Sequence, residues 1–184
     1  MSKDETKYKL ADAMKECLKN ASVEKITVKQ ICDAGKVTRQ TFYRHFLDKY
    51  DLINWYFDKM VLRSFGEMEQ GHTVEESLRQ KMMFIMRERV FFSAAFRCDC
   101  QNSLKDHDFE LILQFYRDLI AKKTSEPLGE ELGFLLEMYC QGSVYMTAKW
   151  VLAGFDMPPE KMARILVEAM PPRVAAVFDK LGLL

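Results

Sequence analysis

The stretch Val37-Thr38-Arg39-Gln40-Thr41-Phe42-Tyr43-Arg44-His45-Phe46-Leu47-Asp48-Lys49 decides how this chain is read. Phe42 and Phe46 recur at i and i+4 and, with Val37, form one apolar edge of a short helix. Arg39, Gln40, Tyr43 and Arg44 recur at i, i+1, i+4 and i+5 on the opposite edge. Those are side chains suited to a DNA major groove. Arg bonds bidentately to guanine and Gln to adenine, and Tyr reaches a phosphate or a thymine methyl. A solvated polar face on an inert helix has the same period, so periodicity alone leaves both readings open.

Upstream, Thr27-Val28-Lys29-Gln30 reads as a capping box. The Thr27 hydroxyl can accept from the Gln30 N–H, and the Gln30 side chain can reach back. Val28, Ile31 and Cys32 give that short second helix its inward stripe. Asp33-Ala34-Gly35-Lys36 breaks it, and Thr38 caps the third helix. Before them, Leu10, Ala11, Met14, Cys17 and Leu18 line one face of a first helix. After them, Asp48 caps a fourth helix with a stripe of Leu52, Ile53, Tyr56, Phe57 and Met60. Two short helices joined by a connection of about three residues must cross steeply, which is helix-turn-helix geometry. The capped amino ends at Thr27 and Thr38 offer free N–H groups to phosphates. Lys29 and Lys49 add point charges near helix starts.

From Ile26 to Leu52 the sequence resembles the TetR family of transcriptional regulators. The Thr-Phe-Tyr-x-His-Phe-x-x-Lys core is matched at Thr41, Phe42, Tyr43, His45, Phe46 and Lys49. The resemblance implies an all-α fold: an N-terminal three-helix head carrying the helix-turn-helix, then a C-terminal helical ligand-sensing and dimerisation domain. It implies a homodimer on a pseudo-palindromic, double-stranded DNA operator. It also implies roles: phosphate contacts for Thr27, Tyr43, His45 and Lys49, base reading for Arg39, Gln40 and Thr41, and either for Lys29. His45 is also readable as a packed helix-end residue. One departure concerns the turn, where the family usually has Ala-Gly and this chain has Gly35-Lys36. Either Lys36 adopts positive φ, at about 1 kcal/mol, or Gly35 does and the turn shifts by one residue.

The expected division is a DNA-binding domain over 1–50 and an effector-binding and dimerisation domain over 51–184. The later part has helical period throughout. Thr73-Val74-Glu75-Glu76 reads as a second capping box, Pro127-Leu128-Gly129 opens a long helix ending at Leu152, and Pro158-Pro159 and Pro171-Pro172 open two more. The helix to Leu152 is apolar nearly all round, so a second subunit is its simplest cover. An ordinary central helix of a monomer would have the same period; the resemblance to the TetR family, whose last two long helices form the dimer interface, implies Tyr139, Gly142, Ser143, Met146, Trp150, Met162, Ile165 and Leu166 as the candidate dimer interface.

Nine of the 12 Met and 10 of the 13 Phe follow residue 60. Met and aromatic side chains can line an adaptable pocket or simply fill a core. Met86, Phe91, Phe115, Tyr116, Met138 and Tyr145 are the pocket candidates. The segments Tyr139-Cys140-Gln141-Gly142 and Trp150-Val151-Leu152-Ala153-Gly154 are similar to a TetR subgroup that includes regulators near dihydroxyacetone kinase genes. Some members of that subgroup work with a protein co-activator. The expected control is therefore a repressor released by a small-molecule effector, or else a co-regulator controlled by a protein partner.

Composition removes other classes. The 184 residues are 48% hydrophobic and 29% charged, which supports a packed core and argues against disorder. Only 8 Gly and 5 Pro leave little material for a sandwich or barrel. No apolar run is long enough for a membrane span, and the charged start Met1-Ser2-Lys3-Asp4-Glu5 lacks a signal-peptide core, so a cytoplasmic protein is expected. The net charge is zero, but residues 1–60 carry 12 Lys+Arg against 9 Asp+Glu; that tilt matters only where the bases are placed. Five Cys, an odd number, make no disulfide framework. Cys98, Cys100 and His107 have no CxxC or HxxxH partner, so no metal and no cofactor are expected. The absence of a Gly-rich loop, GxSxG or HExxH argues against an enzyme.

Overall fold

The computed structural model describes residues 3–98, 103–124 and 128–184, with the side chains of Lys3 and Glu69 left aside. Within them the fold is all-α. Two expectations, for Cys100 and for Pro127, lie outside the described residues. Among those described, no helix is long and apolar enough to cross a membrane, and no His/Cys/Asp/Glu group could hold a metal ion.

The first four helices are α1 (Lys3–Leu18), α2 (Val28–Ala34), α3 (Arg39–His45) and α4 (Lys49–Gly66). Then come α5 (Val74–Arg87), α6 (Arg89–Arg97), α7 (Leu104–Thr124), α8 (Glu130–Leu152), α9 (Pro159–Glu168) and α10 (Pro172–Lys180). The ends follow the capping signals. Thr73 Oγ1 accepts from the Glu76 N–H at 3.2 Å while the Glu76 carboxylate accepts from the Thr73 N–H at 2.7 Å. Asp48 accepts from the N–H groups of Tyr50 and Asp51, both at 2.8 Å. Pro159 and Pro172 occupy first-turn positions, where a missing N–H costs nothing.

The chain divides into two compact units. One comprises 1–59 with 88–104, the other 60–87 with 105–184. This differs from a cut at residue 50. The first part of α4 and all of α6 pack with the head, because α6 buries Phe91, Phe92, Ala95 and Phe96 there. Phe92 meets Phe57 at 5.8 Å and Phe91 meets Tyr56 at 5.2 Å, between ring centroids. Nothing in the linear period of α6 says which unit its apolar face joins.

In the second unit, α5 packs along α9 and α8 along α10. Ties of several kinds hold it. The Tyr139 hydroxyl donates to the Leu166 carbonyl at 3.0 Å, the Trp150 Nε1–H to Met157 O at 2.9 Å, and the Val74 N–H to Leu183 O at 2.8 Å. At its centre lies a charge pair that the hydrophobic period conceals. Lys81 Nζ donates to Asp108 Oδ1 and Oδ2 at 2.6 and 2.8 Å, with side-chain exposures of 2% and 0%. Burial pushes the Cys140 thiol up to about 12 and the Tyr116 phenol well above its ordinary range, with the nearby charges adding smaller effects. Cys140 is thus held as an unreactive thiol.

Candidate nucleic-acid interface

The head is a small core that aims one helix outward. Leu10, Ala11, Met14, Ile31, Phe42 and Phe46 are buried, and Phe42 meets Phe46 at 5.8 Å. This anchors one edge of α3 and leaves Arg39, Gln40, Tyr43 and Arg44 exposed. The arginine of the first turn lies over the Tyr43 ring, 6.0 Å from its centroid, which restricts the freedom of both side chains before any contact is made.

Both amino ends are capped as expected. Thr27 Oγ1 accepts from the Gln30 N–H at 3.3 Å, and Gln30 Oε1 accepts from the Thr27 N–H at 2.8 Å. Thr38 Oγ1 accepts from the Thr41 N–H at 3.1 Å. Thr27, Lys29 and Thr38 are exposed, and Thr41 and His45 are half-buried. All of these sit in the helix-turn-helix with the outward edge of α3.

Lys49 has partners within the head itself. Its ammonium donates to the carbonyls of Glu24 and Ile26, at 2.9 and 2.8 Å. It thereby fixes the α1–α2 connection, whose Ile26 side chain is buried. A short spacing from helix start to motif cannot reveal a partner 23 residues away in sequence.

The turn resolves in favour of Lys36. Its φ is 49°, whereas Gly35 sits at −79°. Gly35 serves space instead of conformation: a Cβ there would meet Ala13 Cβ and Ile31 O at 3.2 Å each. The exposed Lys36 ammonium therefore stands at the turn of the motif. Leu47, just beyond α3, is 85% exposed. The sequence reading overlooked it, although it falls off the Phe42–Phe46 edge.

The other candidate residues are scattered. Of the pocket set, Met138 and Tyr145 are exposed on α8, and Phe91 is buried with the head unit. Phe115 packs edge-on against Phe65 at 5.3 Å, Tyr116 is enclosed between Phe65 and Phe178, and Met86 is half-buried on α5. The six are thus divided: Phe91 belongs to the first unit, and of the five in the second, Met138 and Tyr145 are exposed.

The interface set splits likewise. Tyr139, Ser143, Trp150, Met162 and Leu166 are buried within their own chain. Gly142, Met146 and Ile165 are exposed. With Phe134, Met138, Tyr145 and Leu152 they leave an uncovered apolar stripe on α8 and α9. A helix apolar on all sides does not disclose which side its own subunit covers; the remaining side is the one shown here.

Comparison with known proteins adds an independent line. Residues 72–171 match the family TetR_C_8, described as a transcriptional regulator C-terminal region. A curated relative, the HTH-type dhaKLM operon transcriptional activator DhaS of Lactococcus lactis subsp. lactis (strain IL1403), is 22% identical over 90 residues, 49% of this chain. The match covers 48% of that relative, so the chain spans about half its length in the aligned part. Among solved structures, the dihydroxyacetone kinase operon activator DhaS superposes with a TM-score of 0.64 at 17% identity, over 93% of this chain and 97% of that one. The TetR family repressor AlkX from Dietzia sp. strain DQ12-45-1b gives 0.53 at 14% identity, over 96% of both chains. At those identities the two structures speak for the fold.

Proposed function

The chain belongs to the TetR family of transcriptional regulators, and we propose that it acts as a homodimer on a pseudo-palindromic DNA operator. The observation that carries this is the outward edge of α3, with Arg39, Gln40, Tyr43 and Arg44 exposed over a buried Phe42. The capped starts of α2 and α3 supply backbone N–H groups to phosphates, and Lys29 and Lys36 add exposed positive charge. Thr41 contributes a hydroxyl at the base edge, and His45 and Tyr43 reach phosphate. Two heads enter successive major grooves with centres about 34 Å apart. The uncovered stripe on α8 and α9 is the surface through which two subunits join. A small molecule or a partner protein acts on the second unit and shifts the population between DNA-competent and incompetent head spacings.

The sign of control has two readings. Repression, relieved by an effector, is the reading expected from the family at large. Activation is favoured by the names of the DhaS relatives, both called operon activators. A reporter driven by the chain's own selected operator separates them: deletion of the gene raises output for a repressor and lowers it for an activator. The operator itself comes from in vitro selection with random duplex DNA. Enrichment of two inverted half-sites supports the proposal, and enrichment of a single site or none removes it.

A further inference from the structure

The α4–α5 hairpin carries a groove whose lining includes none of the six pocket candidates. Its register is fixed at one end, where Gln80 Nε2 donates to Glu67 Oε2 at 2.6 Å. Met60, Arg63 and Ser64 of α4 with Glu67 just beyond it, and Gln80, Met83, Phe84 and Arg87 of α5, line the groove. Each set has the i, i+3, i+4, i+7 spacing of one helical face. Their backbones nonetheless stand apart over most of this length. The space between them is a cavity of about 240 Å³, with all its lining inside residues 60–87.

Charge and chemistry of the lining are uneven. Met60, Met83 and Phe84 make its apolar wall. Its one carboxylate, Glu67, is occupied by Gln80 and lies 3.3 Å from His72 Nδ1. Ser64 turns its hydroxyl to the Val61 carbonyl at 2.9 Å. Arg63 and Arg87 are exposed at the groove, and among the described residues neither has an ion-pair partner or a side-chain hydrogen bond. Two unpaired guanidiniums over an apolar trough suit a planar carboxylate with a short apolar body: the fork geometry takes the oxygens bidentately, and the Met side chains adapt to the body.

We propose that the α4–α5 groove binds a small amphipathic carboxylate, its charge held by Arg63 and Arg87 and its body against Met60, Met83 and Phe84. The proposal rests on the reading that the second unit takes a small effector, and it names that effector's chemistry. Its position gives the ligand leverage. Arg87 is followed directly by Glu88, where the chain leaves the second unit for the segment that packs with the head.

The test uses the full chain without DNA, so that its failure leaves operator selection untouched. Methionines are labelled with 13C-methyl groups, and Met60 and Met83 are assigned by substitution to Leu. Hexanoate is titrated, with hexanol and sodium sulfate as separate arms. The expected result is a saturable shift of both methyl groups with hexanoate, and half-saturation at least tenfold higher for hexanol. In Arg63→Gln/Arg87→Gln the hexanoate midpoint rises at least tenfold and the hexanol response is unchanged. Both arginines are exposed, so folding is retained, and the two single variants give intermediate midpoints. No saturable shift, an equal response to hexanol, full competition by equimolar sulfate, or an unchanged midpoint in the double variant overturns the proposal.

Discussion

Lys15 of α1 and Glu88, the single residue between α5 and α6, are joined at 3.2 Å across a half-buried site. The Tyr56 hydroxyl of α4 completes the junction. It accepts from Lys15 Nζ at 2.7 Å and donates to Glu88 Oε1 at 3.2 Å, and the same ammonium lies 4.4 Å from the Tyr56 ring centroid. Burial alone would lower the Lys15 pKa, but the Tyr56 hydrogen bond and the Tyr56 and Glu88 charges outweigh it and leave it raised above 10.5. A raised lysine pKa contributes stability that is complete below the unfolded value and lost as pH rises through the folded one. Stability should therefore fall above about pH 10.5, and Lys15→Met should flatten that limb. At neutral pH, Glu88→Gln should cost about 1 kcal/mol and raise amide exchange in α1 and α6, where α6 meets α1. Unchanged exchange there would show that the junction does not hold the two helices together.

The Lys81–Asp108 pair should be costly to break and cheap to replace. Asp108→Asn leaves a buried ammonium short of its counter-charge, at about 3–5 kcal/mol in urea unfolding at fixed protein concentration. Lys81→Met/Asp108→Leu, which removes both charges together, should recover most of that loss. A single variant as stable as wild type would mean that the pair is solvated in solution.

Lys36→Gly relieves a positive φ and should raise head stability by about 1 kcal/mol. If its ammonium also meets a phosphate, the same variant binds every DNA sequence more weakly and lowers the salt slope by about one. The two effects have opposite signs and are measured separately, by thermal unfolding and by anisotropy.

The head was legible because its signals are local. The Thr27 box, the Thr38 cap and the Phe42–Phe46 spacing each need only a few neighbouring residues to read, and each stands as expected. What could not be read depends on partners far along the chain. Lys49 reaches the Glu24 and Ile26 carbonyls, 25 and 23 residues earlier, which no local motif discloses. Asp108 has nothing in its neighbouring residues to show that it is buried against Lys81, 27 residues earlier. On α8, Trp150 and Tyr145 are equally apolar in sequence, yet one is buried and the other is 65% exposed. Amphipathic period distinguishes an inner face only when the outer face is polar, and on α8 it is not.

That outer face yields its own prediction. Tyr145→Asp places a charge in the stripe of Phe134, Met138 and Met146 without touching subunit core. Sedimentation velocity should shift from dimer toward monomer at micromolar concentration, with helicity retained. A dimer unaffected by the change would place the subunit contact elsewhere.

The outward edge of α3 is tested most directly by repeating operator selection with Arg39→Ala. The account predicts loss of about 1–3 kcal/mol for the wild-type operator and relaxed preference at one base pair in each half-site, with the remaining positions unchanged. An identical selected sequence at identical affinity would contradict it.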